Sequence, residues 1–287
     1  MSADGSTPPR MIGEALRSKK ERREPIVMVT AYDYVTARAA EAAGVDAVLV
    51  GDSAATTMLG LATTRGVMVD EMLMLTHAVR RGITVPFVIG DLPFGSYESS
   101  DRRAVNTATL FADAGCDAVK MEGAGPTVDR ARAVIAAGIP VMGHVGLLPQ
   151  RLLAGDRPHV QGVTADAALA LLEDALALQA AGCCSIVFEA TPAAVAALLV
   201  PRVQIPVIGI GAGVDTDGQV LVSYDLLGLT EGHTPRFVQQ YAHLRETMVA
   251  AFTAYSEDVR ARRFPTSHHV YGIAATELDD LTRRIGA

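Results

Sequence analysis

The chain is 287 residues long, 49% hydrophobic and 20% charged, which fits one large domain or two small ones with ample length for a core. Its 32 acidic residues outnumber its 25 basic ones, and the net charge of −7 gives no electrostatic case for nucleic acid or an anionic membrane as partner. Small molecules and further copies of the chain are the expected partners.

The opening "MSADGSTPPR" is polar and reads as a loose arm rather than a signal peptide. Residues 1–24 form this arm and a charged first helix, "IGEALRSKKERR". Residue 25 opens an alternation of strands and helices: strand "PIVMVT", helix "VTARAAEAAG" ending at Gly44, strand "VDAVLV", helix "VDEMLMLTHAVRRG", strand "VPFVIG", helix "AVNTATLFADAG" and strand "CDAVKM". Helix "TVDRARAVIAAG", strand "IPVMG", the Ala/Leu helix from Ala165, strand "CCSIVF", helix "AAVAALLV", strand "IPVIGI" and a weaker "VLVSYDLLG" follow. The Ala/Leu helix carries Glu173 and Asp174 and is short for a bilayer.

About eight short apolar runs without polar alternation read as strands of a parallel sheet covered on both faces. Eight strand–helix units in this length predict an α/β protein with a closed (β/α)8 TIM barrel over residues 25–265, followed by a tail at 266–287. An open doubly wound sheet is the alternative, against which no G-x-G-x-x-G follows the first strand. Cys116, Cys183 and Cys184 fall in these runs with no metal spacing, and are expected to be buried free thiols in a reducing cytoplasm.

In a barrel, side chains just beyond the strand ends face one cavity. Asp52, Asp91, Glu122, His144 and Glu189 each stand there after a different run. Four converging carboxylates would raise one another's pKa unless a cation joined them. Mg²⁺, which takes one or two carboxylates plus water and substrate oxygens, suits the role, with Asp52 ("VGDS") and Asp91 ("IGDL") as first ligands. Either aspartate alone could instead cap the following helix.

Lys120 precedes Glu122 by two residues and shares its side of the strand, so it can bind an anionic group or balance the carboxylates; a structural ion pair is the alternative. Glu189, in "IVFEAT", has no basic neighbour in sequence. Apolar surroundings of that kind would raise its pKa and suit a base that takes a proton from carbon. His144 is either a ligand contact or an internally satisfied group, and His77, His159, His233, His243, His268 and His269 show no metal spacing. "IPVIGIGAG" (205–213) could offer backbone N–H groups to an anion, although glycines also occur where a rim is crowded.

"TAYDY" (30–34), "VGDS" (50–53), "GDLPFGSY" (90–97), "VKMEG" (119–123), "GHVGLLPQ" (143–150), "VQG" (160–162) and "IPVIGIGAGVDTDGQVLV" (205–222) together resemble the ketopantoate hydroxymethyltransferase family. The resemblance implies a TIM barrel of the phosphoenolpyruvate mutase/isocitrate lyase superfamily. It also implies an Mg²⁺-dependent transfer of a one-carbon unit from 5,10-methylenetetrahydrofolate to 3-methyl-2-oxobutanoate, giving 2-dehydropantoate for pantothenate and coenzyme A. By the same resemblance Asp52 and Asp91 ligate the metal and Glu122 belongs to its shell. Asp52, Ser53, Asp91, Lys120 and His144 are the expected substrate contacts, Glu189 the proton acceptor, and a homo-oligomer of pentameric rings, up to a decamer, the expected assembly.

Two segments depart from the family pattern. "GLATTRGV" from Gly60 has Leu61 and Ala62 where an aromatic or histidine and an aspartate are expected, and Arg65-Gly66 in place of a residue followed by proline. "DRPHVQG" from Asp156 stands where "GGYKVQG" is usual. Both follow strands, at the substrate end of the predicted barrel. They leave open a paralogue with the same enolate chemistry on another 2-oxo acid or one-carbon donor. A carbon–carbon lyase of the superfamily is a further alternative, weakened because all three cysteines are expected in strands rather than in a mobile loop.

Overall fold

The computed structural model describes residues 13–232 and 234–286. The expected N-terminal arm and His233 lie outside them. In chain order the elements are α1 (Gly13–Glu21), β1 (Ile26–Thr30), α2 (Tyr34–Ala42), β2 (Ala47–Val50), α3 (Ala54–Thr57), α4 (Val69–Gly82), β3 (Phe87–Asp91), α5 (Asp101–Asp113), β4 (Ala118–Lys120) and α6 (Pro126–Ala136). Then come β5 (Val141–Gly146), α7 (Ala165–Ala181), β6 (Ser185–Glu189), α8 (Ala193–Leu199), β7 (Val207–Ile210), β8 (Gly218–Leu221), α9 (Ser223–Leu226), α10 (Leu244–Arg260) and α11 (Ala275–Ile285).

Each strand pairs in parallel with the next, and β8 pairs with β1. The sheet is a closed eight-stranded barrel rather than the open alternative. The apolar runs are continuous because both faces of every strand need covering, and two buried clusters show it. Ile26, Met28, Ala47, Leu49, Phe87, Ile89, Ala118, Met142, Val187, Ile208 and Val220 fill the barrel interior with Leu16 of α1. The alternate residues, Val48, Val88, Val119, Val141, Ile186 and Phe188 among them, pack outward with the helices.

Helix boundaries follow local chemistry. Asp33, Ser100 and Thr164 accept the backbone N–H of Thr36, Arg103 and Ala167 and cap α2, α5 and α7. Gly182 ends α7 at φ +101°, a left-handed conformation that a side chain would oppose. α1 closes the N-terminal end of the barrel: Leu16 enters the inner cluster, Lys19 lies 2.7 Å from Asp46, and Lys20 lies 2.7 Å from Asp217.

The cysteines depart from expectation. Cys116, Cys183 and Cys184 precede β4 and β6 instead of lying in them, at the end of the barrel opposite the strand termini. No described helix is long and apolar enough to cross a membrane. α10 and α11 bury no residue at all, and Met248, Val249, Phe252, Tyr255 and Val259 of α10 stand exposed.

Candidate active site

The period of two along a strand explains how the site is made. The inward row of β3 runs Phe87, Ile89, Asp91; that of β4 runs Ala118, Lys120 and on to Glu122; that of β5 runs Met142, His144; that of β6 runs Ser185, Val187, Glu189. At the C-terminal end of each row an apolar residue gives way to an ionisable one. This corrects the reading that all five groups follow their strands. Asp91 and Glu189 are the last residues of β3 and β6, His144 lies inside β5, and only Asp52 and Glu122 stand beyond a strand end.

All the predicted site residues meet in one cleft, with Asp52, Ser53, Asp91, Lys120, Glu122, His144 and Glu189 on its wall beside Thr30, Thr64 and Pro149. Lys120 is the electrostatic centre. It is the register partner of Asp91 across β3 and β4, its ammonium lies 2.9 Å from Asp91 Oδ1 and 3.8 Å from Glu122 Oε1, and it is buried. Burial alone would push its pKa down, but Asp91, Glu122 and Asp52 outweigh that and hold it above the ordinary range.

Asp52 behaves in the opposite way. Burial first, and then the charge of Asp91, raise its carboxyl well above the usual carboxylate range, with Lys120 and the Gln150 amide opposing. Its backbone N–H donates to Asp91 Oδ2 at 3.0 Å, so the two aspartates are tied together. Glu122 is also desolvated, yet His144, Lys120 and the Gln150 N–H overcome this and lower its pKa.

His144 bridges the two glutamates, with Nδ1 3.4 Å from Glu122 Oε1 and Nε2 3.1 Å from Glu189 Oε2. Burial and Lys120 would lower its pKa, but the two carboxylates prevail and raise it. The expectation that Glu189 has no basic neighbour is therefore corrected: β5 and β6 pair directly, and His144 reaches it from the adjacent strand.

Sequence reading did not pick out several residues that hold these groups in place. Gln150, buried in a 3₁₀ turn after β5, donates its side-chain amide to Asp52 Oδ2 and to the Leu92 carbonyl, both at 3.0 Å. It also accepts from the Tyr97 hydroxyl at 2.8 Å and donates its backbone N–H to Glu122 Oε2 at 3.0 Å. The Tyr32 hydroxyl lies 2.9 Å from both Thr30 Oγ1 and Ser53 Oγ, and burial pushes its pKa up to about 12. These residues end or lie within the motifs "GHVGLLPQ", "GDLPFGSY" and "TAYDY", which was the available signal.

The glycine-rich turn contributes only Ile210 to the cleft wall. Gly211 and Gly213 have φ of +65° and +83°, and an added Cβ would come within 2.7 Å of Phe237 and 2.5 Å of Ala193. Crowding accounts for both glycines.

Residues 10–267 match the family model described as ketopantoate hydroxymethyltransferase. The chain belongs to the ketopantoate hydroxymethyltransferase family. It is 49% identical over 256 residues to the 3-methyl-2-oxobutanoate hydroxymethyltransferase of Nitratidesulfovibrio vulgaris, covering 89% of this chain and 83% of that protein. It is 48% identical to the enzyme of that name from Acidothermus cellulolyticus, covering 94% of this chain and 100% of the relative. Among solved structures it resembles phosphoenolpyruvate phosphomutase from Streptomyces platensis subsp. rosaceus, with a TM-score of 0.59 at 15% identity over 96% of this chain and 100% of that one. It also resembles 2,3-dimethylmalate lyase, a member of the PEP mutase/isocitrate lyase superfamily, with a TM-score of 0.57 at 15% identity over 94% and 98%. At such identities these two establish the barrel fold alone.

Proposed function

We propose that the chain is a 3-methyl-2-oxobutanoate hydroxymethyltransferase, taking its one-carbon unit from 5,10-methylenetetrahydrofolate and passing through an enolate of the oxo acid. Family membership supports the activity. The observation that carries the chemistry is the meeting of Lys120, a raised-pKa Asp52 and the Glu189–His144 pair in one cleft.

The donor set fits Mg²⁺. Asp91 Oδ1 and Glu122 Oε1 are buried and accept no aligned hydrogen bond, despite the nearby Lys120 ammonium. Asp52 is held in an environment that a second cation would relieve. Asp52 and Asp91 would be ligands of an ion that keeps waters and substrate oxygens, with Glu122 in the surrounding shell. When bound, the ion supplies Lewis-acid polarisation of the ketone and a template for the oxo acid.

The chain's own groups do the rest. The Lys120 ammonium receives the substrate carboxylate, and the Ser53 hydroxyl, fixed by Tyr32, donates to a substrate oxygen. Glu189 accepts the proton from the carbon beside the ketone, and His144 holds its carboxylate in place from 3.1 Å. The enolate carbon then attacks the folate methylene as one of its two carbon–nitrogen bonds opens, and water displaces the remaining folate nitrogen, leaving the hydroxymethyl group on the oxo acid and releasing tetrahydrofolate.

The test follows hydrogen–deuterium exchange at C3 of 3-methyl-2-oxobutanoate by NMR with Mg²⁺, then adds methylenetetrahydrofolate. Exchange followed by 2-dehydropantoate supports the full reading. Exchange without product favours a paralogue with another donor, and no exchange removes this acceptor. The loop at 60–67, whose Thr64 lines the cleft, is the observation that keeps the paralogue in view. The cysteines, at the opposite end of the barrel, give a lyase no support.

A homo-oligomer in the cytoplasm is part of the proposal. It is supported by the unburied apolar side of α10 and by an apolar groove lined by Val29, Ala39, Ala43, Leu226 and Leu227. Sedimentation velocity should show a species several times the 30.1 kDa chain, and a monomer would remove this part.

A further inference from the structure

The loop between α3 and α4 carries a hydroxyl that the scheme above does not use. Thr64 is 8% exposed and lies on the cleft wall with Asp52, Ser53 and Lys120, and its Oγ1 has no hydrogen-bond partner. A buried polar atom without a partner inside a binding cleft is matched to something that enters it. Thr64 opens a 3₁₀ turn, Thr64–Gly66, so its placement depends on how that turn is fastened.

Arg65 fastens it. Its guanidinium lies 3.7 Å from the centroid of the Phe94 ring, in the loop after β3, and Nη1 donates to the Gln150 carbonyl at 3.1 Å. Gln150 is the residue that also binds Asp52, Glu122 and Tyr97. Gly66 completes the fit: a Cβ there would approach Leu61 to 3.1 Å, so the glycine lets the turn close on the Leu61 side chain.

We infer that Thr64 is a specificity-determining contact to the 2-oxo acid, its hydroxyl donating to an oxygen of the substrate. Arg65 is the positioning residue that holds it there by stacking on Phe94 and by its bond to Gln150. The inference rests on the proposed substrate class and deepens it. Elsewhere on the cleft wall the Ser53 hydroxyl is bonded to Tyr32, His144 Nε2 faces Glu189 and Asp91 Oδ1 faces Lys120, so Thr64 is the unclaimed hydroxyl donor for an anion that Lys120 attracts. A lysine at position 65 would keep the charge and lose the planar guanidinium over the Phe94 ring.

The experiment titrates 3-methyl-2-oxobutanoate into the Mg²⁺-loaded protein by calorimetry, for the parent chain and for T64V, T64S, R65Q and R65K, with circular dichroism melts to check folding. Steady-state KM and kcat are measured beside it. T64V, which keeps the shape, should weaken binding about 10-fold or more, and T64S should restore it to within about threefold. R65Q and R65K should both weaken binding, by about 3- to 10-fold, and raise KM more than they lower kcat.

Parent-like binding by T64V would show that the hydroxyl meets only solvent and would overturn the assignment. Parent-like binding by R65K would reduce Arg65 to a source of charge and overturn the positioning role. Binding without turnover in the parent chain would sink the proposed reaction and leave the contact standing. No binding in the parent chain would sink the substrate and this inference together.

Discussion

At the N-terminal rim of the barrel Asp46, Asp117 and Asp217 stand just before β2, β4 and β8, and each accepts a backbone N–H from the neighbouring strand. The donors are Val27, Val88 and Val207, at 2.9, 2.9 and 2.7 Å. Each aspartate donates its own N–H back to the same residue's carbonyl, and each has a cation beside it: Lys19, Arg80 and Lys20. At the C-terminal rim the carboxylates are more buried and less satisfied. Asp91 Oδ1 and Glu122 Oε1 accept no aligned hydrogen bond, and burial and Asp91 drive the pKa of Asp52 up. One residue type therefore serves two ends. At one rim each carboxylate has its own backbone N–H and its own cation and fastens strands, and at the other several buried carboxylates crowd round the single ammonium of Lys120.

The sharpest way to break this contrast is at Glu189. Glu189→Gln keeps the shape and the His144 contact but removes the carboxylate proposed as proton acceptor, so turnover should fall by about 10²- to 10⁴-fold with the melting temperature little changed. A fall of less than about tenfold would remove Glu189 from the base role. Lys120→Met comes next. Leaving Asp91, Glu122 and Asp52 without their shared ammonium should cost about 3–5 kcal/mol in denaturant unfolding and abolish oxo acid binding. Retained stability would mean that the carboxylates shed their charge without it.

The rim comparison also shows what the sequence could and could not reveal. "GVDAVLVGDS" contains both kinds of aspartate, Asp46 at its start and Asp52 near its end, and nothing in the spacing separates the strand fastener from the cleft group. The barrel was legible because eight apolar runs alternate with capped helices, and the cleft residues were legible because the apolar rows end in ionisable groups. The His144–Glu189 contact was not, since it depends on the pairing of β5 with β6, 45 positions apart (189 − 144 = 45). Gln150 was hidden for the same reason: its partners Asp52, Leu92, Tyr97 and Glu122 come from three earlier loops. The cysteines were misplaced because an apolar run does not show where its strand begins, and here the first residues of the run lie outside the sheet.

At the satisfied rim the expected effects are smaller and of another kind. Asp46→Ala leaves the Val27 N–H without its acceptor and Lys19 with only the Pro25 carbonyl, and should cost about 1–3 kcal/mol by urea titration with kcat unchanged. A change in kcat at constant stability would mean that the two rims are coupled and that the contrast is incomplete.

The smallest expected effect is in the pH dependence of the metal-free protein. His144 is held above its ordinary value of 6.5, so the folded state binds its proton more tightly than the unfolded state does. The stability this contributes is fully present below about pH 6.5 and is lost as pH rises through the folded value. Asp52 acts with the same sign, because its pKa is also raised on folding. Glu122, held below its ordinary value, acts on the other side: its contribution is present above that value and lost as pH falls through the lowered one. Parallel urea titrations of the parent and His144→Gln, in chelator from about pH 6 to pH 9, isolate the histidine share. The stability difference between the two should shrink as pH rises, because the parent loses the imidazolium that the variant never had. A difference constant across the range would show that His144 keeps one protonation state throughout, and that Glu122 and Glu189 hold it as a neutral spacer rather than as the positive half of their bridge.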